Sequence, residues 1–98
     1  MITSKQRAYL RSLAQNIEPI FQVGKNGVND NQVQQIIDAL EAREIVKITM
    51  LDTTPTDKHS IGNEIAEKTG AEVVQIIGKK LTIYRKSTKN PKIDLKNT

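Results

Sequence analysis

Ninety-eight residues with a formal net charge of +4 and no cysteine make one small domain, and they exclude both disulfide staples and a thiol nucleophile. His59 is the only histidine, so a zinc site would need an unusual set of carboxylates, and neither metal nor cofactor is expected. No apolar run approaches the roughly 20 residues that span a bilayer, no signal-peptide core opens the chain, and the lack of cysteine suits a reducing cytoplasm.

Thr3 or Ser4 can cap a first helix over residues 4–15, with Gln6 placed to close a capping box with Thr3. Tyr9, Leu10, Leu13 and Ala14 form its apolar stripe. Lys5, Arg7 and Arg11 lie off that stripe, Arg7 and Arg11 one turn apart. A strand over residues 19–23 runs into Val23-Gly24-Lys25-Asn26-Gly27-Val28. Asn29, with Gln32 three later, then opens a helix whose Val33, Ile36, Ile37 and Leu40 fall at i, i+3, i+4 and i+7, a core-facing stripe. The second strand covers residues 44–51. Residues 52–57 read as a loop whose end caps a third helix, with Ile61, Ile65 and Ala66 inward and Gly70 as its left-handed stop. Gly62 is an unfavourable residue in the middle of that helix. Strands over residues 72–77 and 81–85 flank a Gly78-Lys79-Lys80 hairpin. Residues 1–87 make the domain, and residues 88–98, with Asn90-Pro91, read as a flexible basic tail.

The order α-β-α-β-α-β-β predicts an α/β fold, a single compact domain on a four-stranded mixed sheet. Right-handed crossovers put the second and third helices on one face. Strand alternation assigns Phe21, Val23, Val46, Ile48, Met50, Val74, Ile76, Leu81 and Ile83 to that face. The other face mixes Ile20, Gln22, Ile45, Lys47, Thr49, Val73, Gln75, Ile77, Thr82 and Tyr84. It needs only partial cover, which the first helix is left to supply.

Two glycines without Cβ atoms let the loop backbone approach a ligand closely, and the helix that follows has an N-terminus whose dipole favours anions. Lys25 adds charge at the tip, and Asn26 can donate or accept a hydrogen bond. Gly-x-x-Gly alone is a weak motif, since it also makes a plain strand-to-helix turn. Charge placement adds to it. Residues 1–29 carry a net +3, residues 30–78 a net −5 and residues 79–98 a net +6. Basic ends around an acidic middle suit a polyanion, of which nucleic acid is the commonest. Lys5, Arg7 and Arg11, together with Lys79, Lys80 and Arg85, would extend a contact made by Gly24, Lys25, Asn26 and Gly27. With only Tyr9, Phe21 and Tyr84 aromatic, there is no platform for stacking bases. Tyr84 in a strand suits packing better than stacking.

Four segments together resemble the bacterial stand-alone CRM-domain (YhbY-like) RNA-binding family. They are the opening Thr3-Ser4-Lys5-Gln6-Arg7-Ala8-Tyr9-Leu10-Arg11-Ser12-Leu13-Ala14, the Val23–Val28 loop, Glu44-Ile45-Val46-Lys47-Ile48, and Gln75-Ile76-Ile77-Gly78-Lys79-Lys80-Leu81-Thr82-Ile83-Tyr84-Arg85. The resemblance covers roughly residues 2–90 and rests on order and spacing, since no single segment is specific. It implies a core similar to the C-terminal domain of bacterial translation initiation factor three, with the Gly-x-x-Gly loop and nearby bases touching RNA. It also implies a non-enzymatic protein that binds ribosomal RNA in large-subunit precursors; a monomer is expected, although nothing in the sequence fixes the oligomeric state.

Other classes explain less. A KH-like clamp links two helices, whereas the run before Gly24 has strand character. His59 with Asp57 and Ser60 is a local trio that helix capping explains, and no nucleophile, base and orienting group can be assembled elsewhere. The alternative is a protein-interaction adaptor that uses the acidic second and third helices.

Overall fold

The computed structural model describes residues 2–24, 28–51, 55–89, 91 and 93. Helix α1 (Ser4–Ala14) begins at the expected capping box: the Gln6 N–H donates to Thr3 Oγ1 at 3.0 Å, and the Thr3 N–H donates back to Gln6 Oε1 at 2.8 Å. Strand β1 (Phe21–Val23) is shorter than predicted, because Pro19 has no N–H to extend the ladder. Helix α2 (Asp30–Arg43) opens on the Asn29–Gln32 capping box and buries Ile36 and Leu40. Strand β2 (Ile45–Met50) follows after a single residue, Glu44, whose φ of +67° belongs to the helix cap rather than to the strand predicted there.

Helix α3 (Pro55–Thr69) starts earlier than the loop reading of residues 52–57 allowed. Proline suits a first helical position, where its missing N–H has no acceptor within the helix anyway. Asp57 therefore sits in the first turn rather than at the cap. The helix ends in a Schellman motif. Gly70 takes φ +72°, its N–H reaches the Glu67 carbonyl at 3.4 Å, and the Ala71 N–H reaches the Ala66 carbonyl at 2.8 Å. Gly62 lets α3 lie close on the sheet, since a Cβ there would stand 3.2 Å from both Ile76 Cδ1 and Leu81 Cδ1.

Strands β3 (Glu72–Ile77) and β4 (Lys80–Tyr84) form the hairpin, and the sheet order is β1-β2-β4-β3. The β1–β2 pair is parallel and the other two pairs are antiparallel, so the sheet is mixed as predicted. Gly78, with φ +57°, occupies the first position of the two-residue turn, where a type II′ turn requires a positive φ.

One expected side-chain assignment is reversed. Val73 pairs with Ile83 and Gln75 with Thr82, so Val74 is an extra residue in a bulge. Val73 therefore packs on the α2/α3 face, and Val74 joins the α1 face. Simple alternation cannot foresee this, because a bulge is a property of two strands together.

The larger core lies between the sheet and α2/α3, around Ile36, Leu40, Val46, Ile48, Met50, Ile65, Leu81 and Ile83. The smaller core lies under α1, where Leu10 and Ala14 meet Ile45, Val74 and Tyr84. Helix α1 thus supplies the partial cover that the mixed face requires. No helix among the described residues is long and apolar enough to cross a membrane.

Candidate nucleic-acid interface

Parallel pairing of β1 with β2 brings three chain turns to one end of the sheet. Val23 pairs with Met50 and Thr49 with Lys80. The Leu51 N–H donates to the Val23 carbonyl and the Met50 N–H to the Lys79 carbonyl, both at 2.6 Å. Gly24, which leaves β1, therefore shares this loop end with the Gly78-Lys79 turn. Gly24, Lys79 and Lys80 are all exposed, and nothing lies within 4 Å of where a Cβ on Gly24 would stand. Lys25, Asn26 and Gly27 lie outside the described residues.

The α2 N-terminus that follows is less open to an anion than a bare helix end. The Asn29 side chain accepts the Gln32 N–H at 2.8 Å, and Asp30 puts a carboxylate in the first turn. That donor is occupied and the dipole is already countered, which leaves this helix end little to offer an anion.

The opposite end of the sheet is built differently. Glu44 is fully buried, and its carboxylate accepts the N–H groups of Ser87 at 2.8 Å and Ile93 at 2.6 Å. Its carbonyl accepts the Arg85 N–H at 2.9 Å. Glu41, one turn earlier on α2, accepts from the Thr88 N–H, the Thr88 hydroxyl and the Ser87 hydroxyl. Desolvation pushes the Glu41 carboxyl up, but these hydrogen bonds and the nearby Arg85 charge outweigh it and hold the group below its ordinary range. Ser87 and Ile93 are thus clasped at this end, and Ile93 packs against the α1-side core.

Arg85 belongs to this clasp. Its Nη1 lies 3.9 Å from Glu41 Oε1, and its Nε is 3.7 Å from where a Cβ on Gly70 would stand. The sheet thus separates Arg85 from Lys79 and Lys80, although one short strand joins them in sequence. On α1, Lys5 and Arg11 are exposed, whereas Arg7 is half-buried with its Nε shielded from solvent. Helix α1 starts over the clasp end, where the Ile2 N–H donates to Glu72 Oε2 at 2.8 Å. It finishes over mid-sheet, where Lys47 Nζ donates to the Ala14 carbonyl at 2.7 Å.

Tyr84 is packed rather than presented. It is 7% exposed, and burial, followed by the charges of Glu44 and Glu72, pushes its phenol up. His59 is exposed on α3, and no group of three or more metal-ligating side chains occurs among the described residues.

The CRS1 / YhbY (CRM) domain model matches residues 2–85. The chain belongs to the CRM family. It is 43% identical over 95 residues to the "Probable RNA-binding protein YqeI" of Bacillus subtilis, covering 97% of this chain and 99% of that one. It is 33% identical over 86 residues to an "RNA-binding protein" of Haemophilus influenzae, covering 88% and 87% of the two chains. The solution structure of the hypothetical protein SAV1595 from Staphylococcus aureus, described as a candidate RNA-binding protein, superposes with a TM-score of 0.84. That pair shares 48% identity over 97% of this chain and 99% of the other.

Within this CRM domain, linear charge counting overlooked an open groove beside the loop end, on the face that α1 leaves bare. Gln22, Thr49 and Lys80 line it, with Glu18, Pro19, Ile20 and Phe21. The signal was present in the sequence, since Ile20, Gln22 and Thr49 all fall on the half-polar side of the sheet.

Proposed function

We propose that this CRM domain is a non-enzymatic RNA-binding protein whose contact surface is the loop end of the sheet. Gly24 through Gly27 would lay backbone against the phosphates, with Lys25 and Asn26 at the tip and Lys79 and Lys80 beside them. Lys5, Arg7 and Arg11 on α1, which runs from the clasp end to mid-sheet, would extend that contact along the α1 face for a longer RNA. The observation that carries the reading is the juxtaposition of exposed Gly24 with exposed Lys79 and Lys80 across paired strands. Membership of a family whose relatives are named RNA-binding proteins supports it.

The ligand we propose is ribosomal RNA in precursors of the large subunit, bound by a monomer in the cytoplasm. The adaptor alternative has less to stand on. Glu41 is occupied by the clasp, and Glu64 on α3 pairs with Lys68 at 3.6 Å.

Titration of a structured RNA at several salt concentrations tests the binding, since each phosphate contact steepens the salt dependence. Lys25→Glu should weaken binding by about 1–3 kcal/mol in a protein that stays folded. Unchanged affinity in that variant would remove the loop from the contact. The ribosomal assignment is tested by sedimentation. The protein should travel with free large subunits or their precursors at low salt, leave them at high salt, and be depleted from translating ribosomes. Finding it only at the top of a low-salt gradient from growing cells would overturn that assignment.

A further inference from the structure

Helix α1 covers only half of its face of the sheet. It ends at Ala14, tied down by Lys47, and the chain returns through Glu18 and Pro19 to Ile20, whose N–H donates to the Lys47 carbonyl at 3.0 Å. Between that return and the loop end lies an open groove of about 640 Å³. Its floor is a row of three side chains in cross-strand register. Gln22 on β1 pairs with Thr49 on β2, and Thr49 pairs with Lys80 on β4. Ile77, the partner of Lys80 on β3, continues the row and is 64% exposed, and Ile20 in the groove wall is 41% exposed. No side-chain hydrogen bond engages Gln22, Thr49 or Lys80 among the described residues, so their polar groups are free for a ligand.

The donor set of this groove differs from that of a phosphate site. It holds one ammonium from Lys80, one carboxylate from Glu18, an amide that both donates and accepts, and a hydroxyl that does the same. A phosphate would be repelled by Glu18 and would leave the amide acceptor unused. A planar group with apolar faces and a mixed polar edge fits better, since its face can lie on Ile20 while its edge meets Gln22, Thr49 and Glu18. We infer that the groove is a subsite for an unpaired nucleobase of RNA, and that guanine suits it best. Guanine presents two adjacent N–H donors on its Watson–Crick edge, which a carboxylate accepts together, and the neighbouring Lys80 takes the adjoining phosphate. On β1 the groove ends at Gln22, two residues before Gly24, so one strand of RNA reaches both sites. Phosphate contacts at the loop fix position, and the groove supplies the base selection that phosphate contacts lack.

The inference rests on the RNA-binding reading above, and one experiment separates the two. Two RNA hairpins with the same stem, one with guanines in its loop and one with a loop of uridines only, are titrated with the protein at several salt concentrations. The wild type should bind the guanine loop at least about fivefold more tightly. Gln22→Ala combined with Thr49→Val should abolish that preference while leaving the salt slope unchanged, because neutral side chains release no counterions. Glu18→Gln should narrow the preference, with the uridine loop bound more tightly because the repulsion from Glu18 is gone, and Lys80→Gln should weaken both RNAs and flatten the slope. Circular dichroism melts confirm that each variant is folded. Equal binding of both hairpins by the wild type, or a preference that survives in the folded double variant, would overturn the groove while the RNA-binding reading stands. Failure to bind either hairpin at any salt concentration would overturn both.

Discussion

At the loop end of the sheet Lys79 and Lys80 project into solvent with no acidic partner in their own turn, beside exposed Gly24. At the clasp end Arg85, five residues after Lys80, lies against Glu41, while Glu41 and Glu44 bind the chain that follows β4. A tally along the chain puts Lys79, Lys80 and Arg85 in one basic block. The fold divides that block, leaving one part free for a polyanion and spending the other on holding the C-terminal segment. A base counts towards nucleic-acid binding only where tertiary structure leaves it unpaired, and β4 is long enough to set the two kinds at opposite ends of the sheet.

Removing the clasp should produce the largest effect. Glu44→Ala leaves the buried Ser87 N–H and the half-buried Ile93 N–H without their charged acceptor. The expected loss is about 2–4 kcal/mol of folding stability, read by urea denaturation. RNA affinity measured under conditions where the variant is folded should stay near wild type. A large affinity loss there would erase the distinction between the two ends.

Charge reversal at the loop end should act on the other observable. Lys79→Glu with Lys80→Glu should weaken RNA binding by about 1–3 kcal/mol and flatten its salt dependence, with little change in melting temperature. Arg85→Gln should do the reverse on a smaller scale. Its stability change should stay within about 1 kcal/mol, because the ion pair is long and partly solvated, and its RNA affinity should be nearly unchanged. Equal affinity losses from the two ends would indicate diffuse attraction to the whole surface.

The smallest effects are those of pH. The Glu41 carboxyl is held below its ordinary range, so its contribution to the clasp is complete above about pH 4.3 and is lost as pH falls through the lowered value. Hydrogen exchange at the Thr88 amide, corrected for intrinsic rate, should therefore lose protection in acid before the sheet does. Tyr84 behaves in the opposite sense. Its raised phenol contributes stability that is complete below about pH 10 and is lost as pH climbs through the raised value. Alkaline melts of Tyr84→Phe should lack that component.

What the sequence made legible follows from how local each feature is. The capping boxes at Thr3 and Asn29 and the stop at Gly70 involve residues within one turn, and all three appear where their patterns lie. The layer assignment of the three helices was also legible, because apolar spacing along α2 and α3 and a half-polar sheet face leave little choice. The β3 bulge was not, since Val73 and Val74 exchange faces only through the register of β4. Neither was the role of Glu44. A glutamate at φ +67° is costly by itself, and its carboxylate is engaged by the amides of Ser87 and Ile93, more than 40 residues later, where no local pattern points. At the candidate site, Gly24, Lys79 and Lys80 are exposed, while Lys25 at the expected basic tip lies outside the described residues. The diversion of Arg85 and the groove along Gln22, Thr49 and Lys80 both depend on strand order, which charge counting does not contain.

The most direct test of the division between the two ends is a map of backbone amide shifts in the ¹⁵N-labelled protein as a structured RNA is added. The largest changes should fall at Val23, Gly24, Thr49, Lys79 and Lys80, with Gly70, Arg85, Ser87 and Thr88 nearly still. Changes centred on Arg85, Ser87 and Thr88, with the loop end unmoved, would contradict it.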